Sequence, residues 1–158
     1  MAQQTLLSRP GADTISAEAA VLPPVTVRLV GAVLALAVAT AHVADQGGVT
    51  AFTFPDWLGW SYRLIEVGGV LVALMLMWPR SARLGWAAGV LLGAGPFVGY
   101  IASRTVGVPG DPADIGNWGD WVGTLALIIE AGLITVSSGM LWAMASAVTT
   151  ANLKDPHD

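Results

Sequence analysis

The 158-residue chain contains no cysteine, which excludes disulfides, thiol redox chemistry, thiolate metal sites, c-type haem attachment and lipoprotein anchoring. Histidine is scarce as well, with His42 and one residue in the C-terminal tail. This weakens the case for a four-helix cytochrome, whose haem irons need axial ligands inside the bundle. Charged residues make up 11% of the sequence, where a soluble domain averages about 25%. The net charge of −4 opposes nucleic-acid binding. Phosphate loops, nucleophile elbows and zincin helices are also missing.

What is present is apolar: 54% hydrophobic residues, 19 Gly, 7 Trp and a mean hydropathy of +0.66. Long, nearly uncharged runs of this kind predict an all-α fold, an integral membrane bundle of four transmembrane helices running up-down-up-down. The expected spans are 25–44, 58–78, 84–103 and 121–148, together a transmembrane domain over 25–148. Residues 1–24 read as a flexible cytoplasmic tail ending in Pro23-Pro24, and 149–158 as a second cytoplasmic tail. Ala39-Thr40-Ala41 ahead of His42 has the small-residue pattern read by signal peptidase. The preceding region is too long, and the apolar core longer than usual, for a secretion signal.

The connections carry their own signals. Asp56 after Pro55 is placed to cap the second span, and Pro79-Arg80-Ser81-Ala82-Arg83 predicts a tight basic turn. The last connection, Arg104 to Asp120, combines Pro109-Gly110 with Asp111-Pro112-Ala113-Asp114, the pattern of a turn followed by a short surface helix. Gly85, Gly89 and Gly93 recur every four residues on span three, with Gly95 and Gly99 on a second register, which predicts a centrally packed helix in close contact with its neighbours. Pro96 should bend that helix near its middle.

Arg9, Arg28, Arg80, Arg83 and Lys154 fall on one side of the spans, and only Arg63 and Arg104 on the other. Both termini are thus expected in the cytoplasm, for a multi-pass protein of the inner (plasma) membrane. The outer loops, with Asp45, Asp56, Asp111, Asp114 and Asp120, are acidic.

Ionisable residues inside hydrocarbon are costly and so informative: Arg63, Glu66, Arg104 and Glu130 form the expected intramembrane charge cluster. Counting from the outer helix ends, Glu66 lies roughly 9 Å and Glu130 roughly 14 Å deep at 1.5 Å per residue. Arg63 and Glu66, three apart, share a helix face, which leaves Arg104 as the expected partner of Glu130. His42, Asp45, Tyr62, Tyr100 and Trp118 would line or cover an outward-facing pocket beside this cluster.

The stretch Tyr100-Ile-Ala-Ser-Arg104-Thr-Val-Gly107-Val-Pro109-Gly110, then Trp118 and Glu130, resembles a group of small actinobacterial four-span membrane proteins sharing the pattern Y-x-x-S-R-T-x-G-x-P-G … W … E. Arg63-Leu-Ile-Glu66-Val-Gly-Gly through the Pro79-Arg80 turn is similar to the DoxX-like four-helix family, some of whose members are linked to quinone-coupled oxidation. Both resemblances imply a four-helix membrane fold, and neither supplies a substrate.

Three functions follow as expectations. With under twenty residues in its largest outer loop, the chain has little room for a soluble active site. The first reading is therefore a non-catalytic structural or accessory subunit, associating with itself or with other membrane subunits in the bilayer, with no cofactor and no nucleic acid. The second is a metal-dependent membrane oxidoreductase holding a transition metal through His42, Asp45, Glu66 and Glu130. The third is a small proton-coupled transporter using Glu66 or Glu130 to exchange a proton for a cationic substrate. Small multidrug transporters carry their essential Glu in the first span, where this chain has none.

Overall fold

The structure, a computed structural model, describes residues 23–154. Four helices, each long and apolar enough to cross a membrane, form an all-α up-down-up-down bundle of a multi-pass membrane protein. They are α1 (Val25–Asp45), α2 (Asp56–Met77), α3 (Ala82–Thr105) and α4 (Trp121–Lys154). Single 3-10 turns lie at Pro79–Ser81, between α2 and α3, and at Pro112–Asp114, in the loop before α4. The two long connections share one end of the bundle, called here the loop end. The α2–α3 turn lies at the opposite end, where α1 begins.

Helix ends differ in detail from the sequence expectation. Asp56 does not cap α2: Pro55 holds the cap position without a side-chain bond, and Asp56 is the first helical residue, where its charge still favours the helix N-terminus. The expected surface helix after Asp111 shortens to one 3-10 turn, again without a side-chain cap bond. The polar residues from 149 continue α4 rather than starting a tail. Thr149 and Thr150 donate their hydroxyls to the carbonyls of Ala145 and Ser146, four residues back, at 3.2 and 3.0 Å. The rest of the two expected tails lies outside the described residues.

Near the α2–α3 turn the bundle is dry and closely packed. Trp86, 0% exposed, lies against Gly31 of α1 and packs with Leu76, Leu133, Ala35 and Val38. The glycines act by removing volume where helices cross. A Cβ on Gly69 would lie 2.6 Å from the Ala35 carbonyl oxygen, one on Gly85 would meet Leu76 at 3.0 Å, and one on Gly93 would lie 2.9 Å from the Glu130 carbonyl oxygen. Gly89 likewise faces Ser137. Gly95 and Gly99, expected to pack like these three, do not: nothing lies within 4 Å of where their Cβ atoms would stand. Nor is α3 the uniquely central helix. It touches the other three, but so does α1, which is the most buried of the four, and α2 and α4 stay apart.

Candidate functional site

The space beside Gly95 and Gly99 belongs to a cavity of about 850 Å³ between α2 and α3. These two helices are held together at one end by their tight turn, where Ser81 Oγ donates to the Met75 carbonyl at 2.9 Å. Toward the other end they diverge around the cavity, whose back wall is formed by His42 of α1 and by Gly123, Ala126 and Glu130 of α4. Leu64, Leu71 and Leu91 line it and are also exposed on the apolar outside of the bundle, so it is a cleft that opens sideways between two helices. Pro96 lies in its wall, inside a helix that remains continuous from Ala82 to Thr105. The ring nitrogen cannot donate to the Leu92 carbonyl, another lining residue, so the irregularity sits against the cavity instead of lipid.

The lining changes character along the cleft. From Ile65 of α2 to Met75 near the turn it is apolar, with Val72, Ala88 and Leu92 among the walls. The loop end holds the polar groups: Asp45, Tyr62, Tyr100, Arg104, Asp114 and Asp120. His42 and Glu130 mark the boundary.

Arg104 organises the mouth. It is 6% exposed, at the end of α3, and does not meet Glu130 as the sequence led us to expect. Its guanidinium pairs with Asp114 through Nη1 and with Asp120 through Nη2, the latter at 3.3 Å. It also stacks 4.5 Å from the centroid of the Tyr100 ring, one helical turn earlier. Asp120 uses its two oxygens differently: Oδ2 accepts from Arg104, and Oδ1 accepts from the Val122 backbone N–H at 3.0 Å, capping α4. The loop is fastened from α2 as well, where the Trp57 indole donates to the Pro109 carbonyl at 3.0 Å and Pro55 packs on Gly110. Gly107, Gly110 and Gly116 have φ of +78°, +86° and +79°, which lets the loop fold back over the mouth. Trp118 does not line the cavity; it packs edge-on against Tyr100 at 6.2 Å between ring centroids.

The expected four-residue charge cluster thus separates into two sites and a lone acid. Arg63 pairs with Glu66 across one turn of α2, and both reach the α1–α2 connection: Arg63 donates to the Ala51 carbonyl, and Gln46 donates to Glu66. Neither lines the cavity. Glu130, 1% exposed, faces His42 instead, with its Oε1 3.7 Å from His42 Nε2 and, among the described residues, no hydrogen-bond partner for Oε2. His42 Nδ1 lies 2.9 Å from the Val38 carbonyl, and its ring meets Tyr62 edge-on at 5.4 Å. Tyr62 in turn donates to Asp45.

This arrangement bears on the metal reading. Asp45 is engaged by Tyr62 and Glu66 by Arg63 and Gln46, and among the described residues no three His, Asp or Glu groups converge where they could hold a metal ion. The two serine hydroxyls of the cleft are also committed: Ser61 donates to Trp57 O and Ser103 to Tyr100 O, each at 2.8 Å.

Several contributors lay outside the sequence reading. Gly31, Ala35 and Ala39 form a four-residue ladder of small residues on α1, a pattern visible in the sequence but passed over for the more obvious glycines of α3. Gln46 and Asp120 gave no such signal, because their roles depend on how the loops return. Comparison with family models, with curated proteins and with solved structures finds no match to this chain.

Proposed function

We propose that the chain is a non-catalytic accessory subunit of the plasma membrane that holds an amphiphilic molecule in the α2–α3 cleft, head toward the loop end and apolar tail toward the turn. The observation that carries this reading is the polar-to-apolar change along a single side-opening cavity. A ligand entering from the bilayer keeps its tail in hydrocarbon throughout and exchanges only the surroundings of its head. The apolar stretch of α2, from Ile65 to Met75, provides roughly 15 Å for the tail at 1.5 Å per residue. The two serine hydroxyls of the cleft, each engaged by a carbonyl of its own helix, favour binding over chemistry. Arg28, Arg80 and Arg83 at the turn end favour that end as the cytoplasmic one, so that the mouth faces outward.

Gly95→Phe provides the test, because its side chain would extend from a position with open space around it and fill the cleft without displacing a helix. Wild-type protein purified from its own membrane in mild detergent, then solvent-extracted and analysed by mass spectrometry, should release one amphiphile enriched well above bulk lipid. The Gly95→Phe protein, folded and equally pure, should not. Identical bulk-lipid profiles from both proteins would refute the reading.

A further inference from the structure

The cleft's charges specify the ligand's head. We infer that it is cationic, an alkylamine or alkylammonium group that binds between Glu130 and the aromatic rings of the mouth; this rests on the amphiphile reading above. Among the described residues five carboxylates line the cavity, Asp45, Asp111, Asp114, Asp120 and Glu130, against one guanidinium, Arg104. That guanidinium is already consumed by Asp114 and Asp120. An anionic head would therefore add to a net negative lining, whose one deeply buried carboxylate is Glu130, whereas a cationic head reduces that charge.

Glu130 marks where that head would reach. A carbonyl can only accept, so the 2.9 Å contact with Val38 O places the imidazole proton on Nδ1 of His42. When that ring is neutral, it presents the lone pair of Nε2 to the carboxylate. Two acceptors thus face each other across 3.7 Å, with Glu130 Oε2 unpartnered beside them in a side chain 2% exposed. Leaving a buried acceptor without a donor is expensive. An ammonium group arriving along the cleft offers N–H donors to both acceptors and a charge opposite to that of the carboxylate.

The rings give independent support. Tyr62, Tyr100 and Trp57 line the same end, and the face of Tyr100 already carries a cation, the Arg104 guanidinium. The Tyr100 hydroxyl is itself buried without a partner. Aromatic faces around a partly desolvated cation are the usual accompaniment of ammonium recognition.

The test uses decylamine, decanol and decanoate, which share a chain length and differ in the head. Each is titrated below its micellar concentration into the full-length protein in a neutral maltoside detergent, and thermal unfolding is followed by tryptophan fluorescence. Decylamine should stabilise at a concentration about tenfold or more below that needed for decanol, and decanoate should be the weakest. Glu130→Gln should bring decylamine to parity with decanol. Parity in the wild type would mean that Glu130 carries its own proton and acts as a donor, which overturns the inference, as would a preference for decanoate. If Glu130→Gln does not fold, the ranking on wild-type protein decides alone. A wild-type protein indifferent to all three compounds would instead remove the amphiphile reading on which the inference rests.

Discussion

In the half of the bundle nearer the α2–α3 turn, helices meet through absent side chains: Gly69 against Ala35, Gly85 against Leu76, Gly31 beneath Trp86. In the half nearer the long loops they are held by charge, with Arg104 between Asp114 and Asp120 and Arg63 on Glu66, and α2 and α3 separate around a cavity. Dispersion between close backbones holds the first half. The second gives up that contact for space, and its polar groups fasten loops around the space instead of adding to a core. The contrast shows why ionisable residues occur at this depth. Arg104 secures the mouth of a cleft, Arg63 and Glu66 hold the α1–α2 connection, and Glu130 faces into the cleft.

The comparison is broken most severely by filling a notch in the dry half. Gly69→Leu would force α1 and α2 apart at the Ala35 carbonyl, an overpacking expected to cost about 3 kcal/mol or more. Denaturant or thermal unfolding in detergent should show a large loss of stability, and a well-folded, equally stable variant would mean that the two helices do not cross there.

Arg104→Met should come next, with a different signature. Breaking a buried pair by removing one partner costs 3–5 kcal/mol when both are buried. Here Asp114 and Asp120 are partly exposed and can be hydrated, so about 2 kcal/mol is a fitting expectation after allowing for solvent screening. The loss should be local. Limited proteolysis should cut between residues 105 and 120 well before the helices unfold, whereas uniform destabilisation without loop cleavage would deny Arg104 its fastening role.

The smallest effect offers the sharpest contrast, because it compares two glycines of one helix. Gly93→Ala places a methyl against Ile134 and the Glu130 backbone, while Gly95→Ala places one in open space. The first should lower stability by about 1 kcal/mol through crowding. The second should raise it by about 0.5 kcal/mol through helix propensity. Thermal unfolding of the pair should therefore shift in opposite directions, and shifts of the same sign would contradict the cleft.

How much of this could be read from the sequence follows the same division. The four spans and their alternation are legible because hydrocarbon thickness imposes length and polarity on a helix directly. The Arg63–Glu66 pair is legible because both lie on one helix, where spacing fixes which residues meet. Arg104 and Glu130 lie on different helices, and there the pairing depends on rotation and on the path of a loop. Asp114 and Asp120 reach Arg104 only because three glycines with positive φ bring the chain back over the mouth. The second glycine register failed for a related reason. Gly95 and Gly99 read as contact residues like Gly85, Gly89 and Gly93, but small side chains serve a cavity as well as an interface, and the sequence does not distinguish the two.

Asp120 carries a further consequence. One oxygen of its carboxylate closes the first turn of α4, and the other grips the guanidinium that anchors the loop. The two tasks share a single rigid group, so loosening the grip on Arg104 would strain the winding of a membrane helix, and fraying of that turn would slacken the latch. The anchorage of that loop and the integrity of the fourth segment's first coil are thereby geared together.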